Sequence, residues 1–192
     1  MKEKVKEKVK ELLRSYLEIF PEEHERQKIL LNYLETATNE NITDWNNFNG
    51  HLVAGGFIYS KNDQKFLVLY HKELKMYLYP GGHIDRDDLT PLEAALREIK
   101  EETSLSDLTQ LTLTNNPLLP FDIDTHIIPY NEYRKLPEHY HFDIRYLFTT
   151  DSTDNISIDK EEASNYKWID IKELEKDPNY GKIVTKIKKL IK

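Results

Sequence analysis

Residues 81–105 read GGHIDRDDLTPLEAALREIKEETSL, and the rest of the chain is best read outward from them. The second half of the stretch has the pattern of a helix from about Pro91 to Thr103. Thr90 can cap it, Pro91 suits a first turn, and Glu93 follows Thr90 by three residues as in a capping box. Leu92, Ala95, Leu96 and Ile99 recur with helical period and form the face that packs down. Glu98, Glu101 and Glu102 fall at i, i+3 and i+4, so all three point within an arc of about 100°. Like charges so placed repel by roughly a few tenths of a kcal/mol in water, and more when partly buried. Helix stability gives no reason for that choice. Hard divalent cations do, because magnesium and manganese prefer oxygen ligands. Arg97 and Lys100 soften the repulsion, so a solvated acidic face is the competing reading. Gly81-Gly82 shifts the balance, since two glycines let a ligand or ion approach the backbone closely.

The flanks are strand-like. Leu52–Tyr59, Phe66–Tyr70 and Met76–Tyr79 precede the stretch, the last ended by Pro80-Gly81-Gly82. Strands at about 121–128 and 140–149 and a short one at Tyr166–Ile169 follow it, and residues 171–192 are mostly helical in pattern. Further upstream, Val5, Val9, Leu12, Tyr16 and Ile19 form one helical stripe and Ile29, Leu30, Tyr33, Leu34 and Ala37 a second. Residues 2–37 therefore read as a helical hairpin, and Thr38–Asn49 as a polar loop. The expected architecture is an α+β fold, an α/β sandwich on a mixed sheet. Residues 1–45 form its helical extension and 46–192 its main domain.

The whole chain sets bounds. It has 192 residues, no cysteine and a formal net charge of −7. Disulfides, thiolate metal sites and cysteine nucleophiles are excluded, and a reducing cytoplasm is the expected setting. The acidic balance argues against a nucleic-acid partner, and the apolar runs are too short for a membrane span. Between Asp85 and Glu102 stand seven acidic and three basic residues, where an anionic substrate needs intervening cations. The tail from Lys182 to Lys192 carries five lysines and no acid, and reads as the solvated face of a terminal helix. Trp168 reads as core.

The 81–105 segment resembles the Nudix box, G-x5-E-x7-R-E-U-x-E-E-x-G-U, where U is a bulky aliphatic residue. Gly82 matches the first glycine, Arg97-Glu98-Ile99-Lys100-Glu101-Glu102 matches R-E-U-x-E-E throughout, and Leu105 matches the last position. Three departures stand out. The spacing from Gly82 to Arg97 is one residue longer, Asp87 or Asp88 stands in for the loop glutamate, and Ser104 replaces the final glycine. The resemblance implies a Nudix fold and Mg²⁺ or Mn²⁺ held by Glu98, Glu101 and Glu102, with the Gly81 carbonyl as a further ligand. It implies that Arg97 pairs with Asp87 or Asp88, and that the chain hydrolyses a nucleoside diphosphate linked to another moiety. Glu98 or Glu102 is the expected proton acceptor, with Glu161 or Glu162 as a rival. A Nudix-fold protein that binds a nucleotide ligand without turnover is the main alternative. Hydrolysis of a non-nucleoside diphosphate is another, and a homodimer is compatible with the sequence.

A second polar cluster lies in residues 139–145, His-Tyr-His-Phe-Asp-Ile-Arg. Strand alternation puts His139, His141, Asp143 and Arg145 on one face and, on the neighbouring segment, Asp122, Asp124 and His126 together. Three readings apply: substrate contacts from His126, His139, His141, Asp143 and Arg145, a separate histidine–carboxylate metal site, or a solvent-facing hairpin with cross-strand charge pairs.

Overall fold

The computed structural model describes residues 2–132, 134–154, 156–178 and 180–191. Its framework is an eight-stranded mixed sheet: β1 (His51–Ser60), β2 (Lys65–His71), β3 (Met76–Leu78), β4 (Gly81–His83), β5 (Thr109–Leu111), β6 (Asp122–Ile128), β7 (His139–Thr150) and β8 (Ala163–Asp170). The main path runs β3-β2-β1-β7-β5, with β4 on β1, β6 on β7 and β8 on β2. β1 and β7 pair in parallel from His51↔His141 to Ser60↔Thr150. β1 is buried along its whole length, as a strand covered on both faces must be.

Alternation along β1 sorts two cores. Leu52, Ala54 and Ile58 face one cluster with α1 (Lys2–Ile19), α2 (Lys28–Thr36) and α3 (Pro91–Thr103). Phe57 and Tyr59 face the other, with α4 (Ile171–Lys176) and α5 (Val184–Leu190). The result is the expected sandwich of helices on both sides of a sheet. No helix among the described residues is long and apolar enough to cross a membrane. The α1 stripe is Val5, Val9, Leu12, Leu13 and Tyr16, whereas Ile19 and Ile29 are exposed. The loop after α2 is packed: Ile42 is buried, its carbonyl accepts the Leu52 N–H at 2.8 Å, and Tyr33 Oη donates to the Gly50 carbonyl at 2.6 Å.

α3 begins and ends as its sequence directs. Thr90 Oγ1 accepts the Glu93 N–H at 3.1 Å, and the Glu93 carboxylate returns to the Leu89 N–H at 2.8 Å, one residue ahead of the cap. At the exit Ser104 adopts φ 62°, a left-handed turn that glycine occupies without penalty.

The lysine-rich tail departs from expectation. Lys186 is buried, its Nζ 2.7 Å from Asp122 Oδ1 and 2.5 Å from Glu23 Oε1. Asp122, fully buried at the start of β6, also accepts from Arg26 at 2.9 Å and Arg145 at 3.2 Å. One carboxylate thus ties the turn after α1, α5, β6 and β7 together. A helix drawn from sequence spacing alone leaves Lys186 in water, because its partners lie far away in the chain. Lys192 lies outside the described residues. Trp168 is half-buried against the first core.

Two outcomes follow for stability. Asp122→Asn removes the buried carboxylate that Arg26, Arg145 and Lys186 share and is expected to cost about 3–5 kcal/mol in urea denaturation. Ser104→Gly relieves a left-handed non-glycine and is expected to raise stability by up to about 1 kcal/mol, with turnover unchanged.

Candidate active site

The site is built where α3 lies across β4. β4 is only three residues, Gly81–His83, and exists because β1 pairs with it: Gly55↔Gly81, Ala54↔Gly82, Val53↔His83. Pro80 does follow the end of β3 at Leu78, but the loop expected from Gly81 onward is corrected here, since backbone pairing rather than side-chain propensity makes Gly81–His83 a strand. Two glycines let the helix come close. A Cβ on Gly82 would stand 2.7 Å from the Glu98 carboxylate, and one on Gly56 would stand 2.7 Å from Ile99 Cδ1. Glu98 therefore lies directly on the β4 backbone. Four residues later, Glu102 Oε2 accepts the Gly81 N–H at 2.8 Å.

Arg97 organises the outer side. Its Nη2 donates to Asp88 Oδ2 and to the His83 carbonyl, each at 2.8 Å, and Nε stands 3.2 Å from Asp88 Oδ1. Nη1 reaches Glu98 Oε1 at 2.8 Å and Glu101 Oε2 at 2.9 Å. Of the two loop aspartates, Asp88 makes the pair and is buried, and its Oδ2 also accepts the Asp85 N–H at 2.7 Å; Asp87 is exposed. A bidentate guanidinium–carboxylate contact fixes a loop far better than a point charge. The longer loop between Gly82 and α3 is thereby held against the helix.

Glu98 and Glu102 point into the groove, while Glu101 is turned outward to Arg97 with its side chain 58 % exposed. A further carboxylate arrives from a distant segment. The Asp159 and Ser157 amides bind the Glu102 and Thr103 carbonyls at 3.1 Å each, which folds residues 157–162 over the end of α3. Glu162 is thereby brought within electrostatic reach of the Glu102 carboxyl. Burial pushes the Glu98 carboxyl up to about 7, against the pull of Arg97. Burial pushes Glu102 up to about 8; its Gly81 N–H bond opposes the rise, and Glu162 and Glu98 add to it. Buried carboxylates that repel one another are a donor set a hard divalent cation fits.

The opposite face of the sheet carries the polar hairpin. β6 and β7 pair as alternation suggests, with Asp122↔Arg145, Asp124↔Asp143 and His126↔His141. The face is buried around Arg145, Asp143 and Asp122 and opens toward solvent at His126. Arg145 is 4 % exposed, with Nε 3.0 Å from Asp143, Nη1 3.2 Å from Asp122 and Nη2 2.9 Å from Asp124. Tyr79 Oη donates to Asp143 and accepts from Arg145 Nε at 3.0 Å. With all three nitrogens facing carboxylates, Arg145 is committed to the fold, and Asp143 with it, rather than presented to a phosphate. His126 Nδ1 stands 3.1 Å from Asp124. His139 and His141 lie against His51 and His83, two histidines the sequence reading did not single out. They come together through the parallel β1–β7 pairing and the short β4, neither of which leaves a local pattern.

Known proteins resemble this chain in sequence and fold. Residues 49–187 match the NUDIX domain. A relative named probable DHNTP pyrophosphohydrolase, from Lactococcus lactis subsp. cremoris (strain MG1363), is 29 % identical over 138 residues, 71 % of this chain and 76 % of its own. Among solved structures, a NUDIX-family hydrolase from Clostridium perfringens is 26 % identical, with a TM-score of 0.54 over 73 % of this chain and 95 % of its own. The E. coli dihydroneopterin triphosphate pyrophosphohydrolase shares the fold at 17 % identity and a TM-score of 0.55, over 69 % of this chain and 91 % of its own. With Arg97, Glu98, Glu101 and Glu102 all in place on α3 and the match running through both cores, the chain belongs to the NUDIX family and is a Nudix-type hydrolase.

Proposed function

We propose that this hydrolase takes a divalent cation, Mg²⁺ or Mn²⁺, on Glu98 and Glu102, with Glu101 and the Gly81 carbonyl completing the protein's ligand set. Its substrate is a nucleoside diphosphate linked to another moiety. The observation that carries the reading is the pair of carboxylates, one helical turn apart, pressed onto the β4 backbone. Bound there, the ion neutralises phosphate charge and acidifies a water.

The chain's own groups supply the rest. Arg97 holds Asp88 and the carbonyl of His83, and so keeps the loop and β4 in register with α3. Glu162 sits at the rim on a separate loop, exposed and within electrostatic reach of Glu102, and accepts the proton of the attacking water. The water oxygen bonds to phosphorus, the anhydride P–O bond breaks, and the leaving phosphate departs with the bonding pair. Glu161, its neighbour, is bound through its backbone amide to Asp159, and its carboxylate is not among the charges acting on Glu98 or Glu102.

The test is phosphate release, coupled through a phosphatase, over a panel of nucleoside diphosphate derivatives together with dihydroneopterin triphosphate. Turnover with Mg²⁺ that a chelator abolishes is expected. Glu162→Gln should lower kcat by about 10²–10⁴ with metal affinity kept, whereas Glu161→Gln should leave both unchanged. Thermal stabilisation by one compound without turnover of any would instead make the protein a binding module.

A pH prediction follows from the raised carboxyls. Their folded values, about 7 and about 8, lie above the unfolded glutamate value, so the metal-free fold is favoured at low pH. Stability of the metal-free protein should therefore decline as pH rises from about 4.5, the unfolded value, through about 8. Mn²⁺ should cancel the decline, and Glu98→Gln/Glu102→Gln should flatten it, in thermal melts across that range.

A further inference from the structure

A second cluster of ligating side chains lies on the sheet face away from α3. His51 opposes His141 across the parallel β1–β7 pair, and His83 opposes Val53 across β1–β4. Since residues 51 and 53 share a face, the three imidazoles converge. One possible ligand atom from each lies within 4.8 Å of the other two. Ring centroids of His51 stand 5.1 Å from His83, 5.1 Å from His139 and 4.7 Å from His141.

The hydrogen bonding around His51 and His139 is that of metal-binding imidazoles. His51 is 1 % exposed, and its buried Nε2 has no hydrogen-bond partner. An unmatched buried polar atom costs about 1–3 kcal/mol, so its retention calls for a reason. The other nitrogen, Nδ1, stands 3.5 Å from the Asn47 carbonyl. A carbonyl only accepts, so Nδ1 carries the proton and Nε2 presents a lone pair. His139 repeats the arrangement: Nδ1 lies 2.8 Å from the Pro137 carbonyl, and Nε2 lies 3.3 Å from Nε2 of His141. A backbone carbonyl on the far nitrogen is what orients imidazoles that bind metal through the near one.

We propose that His51, His83 and His141 form a binding site for a late first-row divalent cation, zinc foremost, separate from the Glu98–Glu102 site. Imidazoles favour zinc where carboxylates favour magnesium, so the two sites divide the ions by chemistry. Nitrogens bound to one tetrahedral zinc at about 2.0–2.1 Å stand roughly 3.4 Å apart, which small ring rotations reach from the present spacing. His51 is buried, His141 half-buried and His83 exposed, so the ion enters from the His83 side. The fourth position is filled by water or by His139.

Cobalt is the probe, because four-coordinate nitrogen-bound Co²⁺ has strong visible bands. The chelator-stripped Glu98→Gln/Glu102→Gln protein removes the acidic site and leaves the histidines. It should bind one equivalent of Co²⁺ with those bands, displaced by Zn²⁺ but not by excess Mg²⁺. His83→Ala, an exposed position that leaves the fold intact by circular dichroism, should weaken binding by about a hundredfold, as should His141→Ala. No bound cobalt in the Glu98→Gln/Glu102→Gln protein, or equal affinity with and without His83 and His141, would overturn the site. Either result leaves the hydrolase reading standing, since that rests on the carboxylates.

Discussion

The rest of the structure depends on the approach of two like-charged side chains to one stretch of backbone. Glu98 rests on Gly82 and Glu102 accepts the Gly81 N–H, so α3 crosses β4 at a distance that no side chain on Gly82 would allow. That closeness desolvates both carboxyls and raises them. Desolvating charges that repel one another is unfavourable, and the fold meets it with opposite charge and packing on the other side of the helix. Arg97 spans Asp88, Glu98 and Glu101, while Ala94, Ala95 and Ile99 are buried in the first core.

The two faces of the sheet divide the work. The α3 face carries carboxylates. The opposite face carries a fully paired ion network around Arg145, which joins β6, β7 and Tyr79, and beside it the imidazole cluster. Asp122 extends that network to Arg26 and Lys186, so the helices at both ends of the chain are fastened to the strands beneath the site. Buried ion pairs add little net stability but strongly disfavour arrangements that leave one partner alone. Here they fix β7, and β7 carries His139 and His141.

Legibility in the sequence followed the range of the interactions. α3 is legible because its signals are local: Thr90 caps, Pro91 starts, and Ala95 and Ile99 of the expected stripe are buried, although Ala94 is buried in place of the exposed Leu96. The hairpin of β6 and β7 is legible because alternation with period two survives in both strands. β4 and β5 are three residues each and carry no period, so only their partners define them. The parallel β1–β7 pairing leaves no turn signal, and with it went His51 and His83. Glu162 could be named but not placed, because the bond between the Asp159 amide and the end of α3, which brings its segment to the site, is long-range. Lys186 looked solvated for the same reason: Asp122 and Glu23 are distant in sequence.

The measurement that bears most directly on the central claim is the anomalous difference map of a crystal soaked in Mn²⁺. The account predicts a peak between the Glu98 and Glu102 carboxylates, with oxygens at about 2.0–2.2 Å. A map with no peak there, under conditions that support turnover, would contradict it.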